Sequence, residues 1–191
     1  LGAAAERFAR TINNKLEKRY ETFRHVEGKP FLLALADFHA PSSMLWSRES
    51  LISYLYGISL QTSVAGGVEV ASAGEVKSLL SGRPSGLFNS SENAHLSAVI
   101  FTNACTVPKL SRVPISGGAQ LNGYRYIRFG EFFDRAPGEV RGIPFLMDVA
   151  SIDYRKLWPE YGYEPWSAEV EVFHNPLALH PVPNELLPET T

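Results

Sequence analysis

The chain has 191 residues, of which 45% are hydrophobic, 12% aromatic and 20% charged, enough apolar content for one ordinary core and too much for a disordered, collagen-like or coiled-coil chain. A net charge of −2 excludes an overall basic field for nucleic acid while leaving room for a local basic face, and the single cysteine, Cys105, excludes an internal disulfide and suits a reducing, cytoplasmic compartment. No apolar run approaches the roughly 18 residues of a membrane span, and the N-terminal residues, starting at Leu1, lack the apolar stretch of a signal peptide, so no membrane association is expected.

Taken in chain order, Ala5, Phe8, Ile12, Leu16, Tyr20 and Phe23 recur every three or four residues and predict a helix from Gly2 to Phe23. Its other faces carry Arg7, Arg10, Lys15, Lys18 and Arg19, and the first thirty residues hold seven Lys/Arg against four Glu, a net of +3. Gly28-Lys29-Pro30 ends the pattern. The apolar run Phe31 to Phe38 then predicts a core strand buried on both faces. A second helix, capped by Ser43 or Ser47, runs through Leu51, Ile52 and Leu55 to a stop at Gly57.

These elements define a first segment, residues 1–57, of one α/β domain spanning 1–191. Residues 58–123 read as a loop-rich middle with a weak strand at Val68 to Val70, a short helix around Glu75 to Leu80, a core strand near 97–102 and a short helix through Leu110. Residues 124–191 read as a strand-rich end, with half-buried alternation at Tyr124 to Phe129 and at Ser167 to Phe173 and a further apolar strand between Ile143 and Val149. The stretch from Asp153 to Thr191 has two positive and seven negative residues, and its proline-rich tail is expected to wrap the surface. The fold class expected is a mixed sheet flanked by helices.

Candidate chemistry follows from position. Asp37 and His39 close the first core strand, where α/β folds open onto a crevice, and alternate residues of an extended chain share a side, so the two could work as a carboxylate and imidazole pair. The alternative is that Asp37 caps the following turn and His39 satisfies loop backbone groups. His174 and His180 flank Asn175-Pro176, and with Asp37 and His39 they would supply a metal site if the fold gathered them. Cys105, after a strand, is either a nucleophile at a helix start or a small buried hydrophobe. No Walker pattern, Gly-x-Gly-x-x-Gly motif or Gly-x-Ser-x-Gly elbow is present. Arg10, Lys15, Lys18 and Arg19 could follow the phosphates of a nucleic acid or form an ordinary solvated face.

The blocks Lys15-Leu16-Glu17-Lys18-Arg19-Tyr20, His25-Val26-Glu27-Gly28-Lys29-Pro30-Phe31, Ala34-Leu35-Ala36-Asp37-Phe38-His39-Ala40 and Val172-Phe173-His174-Asn175-Pro176 resemble a family of uncharacterised bacterial proteins over most of the chain. In that family the basic helix follows two acidic strands, an order similar to the PD-(D/E)XK, or restriction-endonuclease-like, nucleases. That resemblance implies magnesium held by carboxylates, phosphodiester hydrolysis, and a chain that lacks its N-terminal catalytic strands. The acidic strands have no counterpart here, so no catalytic carboxylate or lysine carries over residue by residue. The expectation is the greater part of a magnesium-dependent nuclease-like protein that does not cleave DNA in isolation. The alternatives are a non-enzymatic structural or interaction module, and a metal-dependent hydrolase built on Asp37, His39, His174 and His180.

Overall fold

Three strands from distant parts of the sequence meet in the mixed sheet on which the first of two units is built. The computed structural model describes residues 2–38, 47–65, 68–103, 106–120, 123–136, 139–167 and 170–183, without the side chains of 60–65, 68–73, 131–136 and 139–142. The chain divides into two compact units, the first made of Leu1–Thr62, Ala71–Asn103 and Val170–Thr191, the second of Ser63–Val70 and Ala104–Glu169.

In the first unit, helix α1 (Gly2–Leu16) buries Ala5, Phe8, Ala9, Ile12 and Leu16 on one stripe, the face that the three-and-four spacing predicts. The helix is shorter than the pattern suggests. The amides of Lys18 and Arg19 bond back three residues, to Lys15 and Leu16, and Arg19 takes a left-handed conformation at φ 54°. A side chain other than glycine is strained there, and the α-helix cannot continue through it. Tyr20–Thr22 forms a short 3-10 turn instead, leaving Phe23 exposed.

Strand β1 (Leu32–Ala36) pairs in parallel with β4 (Ala98–Thr102), which pairs antiparallel with β7 (Val170–His174), in the order β1-β4-β7. β4 is the central strand, with Ala98, Val99 and Phe101 buried. The expectation that β1 is covered on both faces fails: Ala34 and Ala36 are exposed, because β1 lies at the sheet's edge. Helix α2 (Ser47–Tyr56) ends at Gly57, whose φ of +68° suits a glycine stop. It joins α1 through Tyr54, whose hydroxyl donates to Asn13 Oδ1 at 3.2 Å and is pushed up to about 12 by burial. Phe8, Ile12, Leu51, Leu55, Val99, Phe101 and Phe173 form the apolar core, with the Phe8 ring edge-on to Phe101 at 6.0 Å. Each such side chain contributes about 1.5–3 kcal/mol by leaving water.

Residues 58–75 hold more strand than the loop-rich expectation, and the weak strand expected at Val68 to Val70 lies within the second of two strands. β2 (Ile58–Ala65) and β3 (Val68–Glu75) form a two-stranded sheet. The helix expected near Glu75 to Leu80 is absent, because Val76 donates its amide to Gly57 and Leu79 to Arg83, and Ser78 bridges Pro84. Those bonds commit the backbone to non-helical partners.

The second unit contains α3 (Val107–Ser116), the antiparallel pair β5 (Ile127–Ala136) and β6 (Glu139–Asp148), and the short α4 (Ile152–Arg155), capped by Ser151. The alternation at Tyr124 to Phe129 is real but faces the other way from its apolar pattern. Phe129 is 79% exposed and its cross-strand partner Leu146 75%, while Arg128 is half-buried. What turns Arg128 inward is a polar network. Its Nη1 donates to the Tyr154 hydroxyl at 3.1 Å, which donates to Glu164 Oε2 at 2.7 Å, and Arg112 donates to both Glu164 oxygens at 2.6 and 2.7 Å.

The Glu164 amide donates to Ser116 Oγ at 3.0 Å. Burial alone would raise the Glu164 carboxyl, but the bonds from Arg112 and Tyr154 outweigh it and hold the group below its ordinary range. Burial, and the bond to Glu164, push the Tyr154 hydroxyl up to about 12. A cluster of buried apolar residues here comprises Ile115, Val149 and Tyr154, with Trp158 packed against it. The protein is therefore a mixed α/β chain with a mixed sheet flanked by helices.

Candidate functional site

Because β1 and β4 run in parallel, their C-terminal ends open on one edge of the sheet, the place where α/β sheets collect functional groups. Asp37 stands there, one residue past β1, with its amide bonded to the Thr102 carbonyl at 3.0 Å. Its side chain is only 5% exposed. Arg7, on α1, donates Nη2 to Asp37 Oδ2 at 2.7 Å, and the hydroxyl of Ser47, the first residue of α2, donates to the same oxygen. The carboxylate thus ties α1, β1 and α2 together. A buried charge needs that kind of pairing to be tolerated. Nearby on α2, Arg48 Nε reaches both Glu171 oxygens at 2.7 Å.

The other candidates fall elsewhere. His39 lies outside the described residues, as do Cys105 and the tail from residue 184 on. His174 ends β7 opposite Ala98, the first residue of β4, and its carbonyl accepts from the Tyr56 hydroxyl at 2.9 Å. His180 gives its carbonyl to Ser97 Oγ at 2.6 Å. Both histidines therefore belong to the end of β4 opposite Asp37, four strand rises or about 13 Å away. The set Asp37, His174 and His180 is not gathered, and the described residues hold no group of three or more His, Cys, Asp or Glu placed for a metal. The physical reason is strand direction: β7 runs antiparallel to β4, so its C-terminal histidine is carried to the far edge.

Of the basic residues, Arg10, Lys15 and Lys18 are exposed on the side of α1, or of the turn after it, away from the buried stripe. They form no ion pair among the described residues. Arg19 differs, since its Nε bonds Glu21 Oε1 at 2.5 Å. Burial of Glu21 opposes ionisation, but that bond and neighbouring positive charge keep the carboxyl lowered.

Two members of the Asp37 cluster were hidden at the level of sequence. Arg7 reads as one more solvated charge and Ser47 as a helix cap, thirty and ten residues from Asp37. The only signal was the burial of a carboxylate at a strand end, which demands a cation. No family model, curated protein or solved structure matches the chain. Among the described residues, no helix is long and apolar enough to cross a membrane.

Proposed function

We propose that the first unit binds the phosphate backbone of a nucleic acid through the exposed face of α1, as the holding part of a phosphodiester-processing, nuclease-like protein. The observation that carries this reading is the arc of Arg10, Lys15 and Lys18, exposed and without ion pairs among the described residues. Phosphate contacts of this kind give sequence-independent, salt-dependent affinity. Asp37 supports holding over cutting, because Arg7 and Ser47 already occupy its carboxylate. Both bonds fall on one oxygen, Oδ2, and serve to tie α1, β1 and α2 together. In the nuclease-like arrangement that the sequence resembles, magnesium would be held by other carboxylates.

The test is fluorescence anisotropy of this chain with a labelled 20-base-pair DNA duplex across a salt series. Three neutralised phosphates predict a log–log salt slope of about −2.7, reduced in magnitude by about 1.8 in K15E/K18E. A slope near zero, or one unchanged in the double variant, overturns the reading. With magnesium, plasmid DNA should stay intact; cleavage that D37N abolishes would assign Asp37 a catalytic part and overturn the holding role.

A further inference from the structure

The second unit contains an open cleft of about 520 Å³ whose walls come from the end of α3, the glycine-bearing turn after it, the approach to β5, the end of β6 and the last residue of α4. That volume suits a small organic molecule. Three charged residues line it: Arg125, Asp148 and Arg155. Arg125 and Asp148 answer one another, Nε to Oδ2 at 2.9 Å, and Asp148 also accepts from the Ala150 amide at 3.0 Å. Those two bonds hold the Asp148 carboxyl below its ordinary range, so it stays ionised and cancels Arg125.

Arg155 is left as the uncancelled charge of the lining. No carboxylate pairs with it among the described residues, and its Nε is buried without a hydrogen-bond partner. An unmet buried donor on a cation costs more than a neutral one, and partial burial weakens the screening of the guanidinium's charge. Gly118 stands beside it. At φ +105° that position favours glycine, and a Cβ there would stand 3.9 Å from Arg155 Nη2. At the rim Tyr124 is 80% exposed, a ring with free area for stacking.

We infer that this cleft binds a small aromatic oxyanion, with a carboxylate or phosphate head on the Arg155 guanidinium and its ring against Tyr124. The lining carries one net positive charge, which a carboxylate neutralises and a phosphate ester slightly exceeds. The site lies wholly within the second unit and does not depend on nucleic-acid binding by α1.

The experiment is titration calorimetry of the full chain with four probes: benzoate, phenyl phosphate, inorganic phosphate and benzyl alcohol. Benzoate or phenyl phosphate should bind, the tighter of the two naming the head group, and both inorganic phosphate and benzyl alcohol should bind at least about tenfold more weakly. R155Q should weaken the aromatic oxyanion about tenfold or more, and R155K less. Y124A, at an exposed position that does not threaten folding, should weaken it about two- to tenfold. Equal binding of benzyl alcohol, full binding by R155Q, indifference to Y124A, or no binding of either oxyanion at millimolar concentration would overturn the inference.

Discussion

The two units of this chain solve the same problem with different materials. The first packs Phe8, Ile12, Leu51, Leu55, Val99 and Phe101 into an apolar core and, among the described residues, admits one buried acid, Asp37, at its edge. The second places Glu164 fully inside, and joins it to Arg112, Tyr154 and, through Tyr154, Arg128, beside a smaller apolar cluster. Apolar contacts are non-directional and tolerate exchange among shapes of similar volume, whereas a buried ionic network holds only while every member is satisfied. The second unit should therefore be the more sensitive to loss of a single polar group and to acid.

The largest expected effect is in that network. R112M leaves Glu164 buried without its cation and should cost the second unit about 3–5 kcal/mol, while R112M/E164L, which removes both charges, should regain most of it. Hydrogen exchange read peptide by peptide, with denaturant unfolding, reports each unit separately. If R112M alone is as stable as the parent, the contrast between the units is lost. In the first unit, L55A should cost about 2–5 kcal/mol through the cavity it opens, with no dependence on pH.

Acid gives the next effect. The folded Glu164 carboxyl is held below the ordinary 4.5, so its contribution is present above that pH and fades as pH falls through the lowered value. E164Q should flatten that part of the second unit's acid loss and leave the first unit's curve as it was, although Glu6 and Glu21, also lowered, give the first unit an acid response of its own. The smallest effect is R48A. It breaks a surface pair with Glu171 and should stay within about 1 kcal/mol by thermal unfolding, a larger change implying that the pair locks α2 to β7.

Periodicity reports burial of apolar groups, and the elements it made visible are those held by such burial. The stripe of α1, the run that becomes β4 and the glycine stop of α2 are all readable residue by residue. Ser, Ala and Gly between residues 58 and 75 carry little apolar contrast, so their pairing into β2 and β3 left no comparable trace. Arg128 shows the deeper limit, since an arginine flanked by Ile127 and Phe129 reads as the solvent side of a strand until Tyr154, twenty-six residues on, offers it a partner. For the candidate site, the strand end at Asp37 was legible, but its ties to Arg7 and Ser47 were not. Nor was the direction of β7, which decides that His174 and Asp37 stand apart.

The pairing of β4 with both β1 and β7 also sets an order of events at synthesis. Leu32 meets Ala98 sixty-six residues downstream, and Ala98 waits for His174 another seventy-six residues on, with nearly all of the second unit between. A ribosome delivers the second unit's strands and helices before it delivers the last strand of the first unit's sheet. Up to that point the β7-facing edge of β4 is unpaired, the kind of surface on which nascent chains misassociate. Closing so large a loop also slows folding, so the first unit should be the later of the two to become protected from exchange.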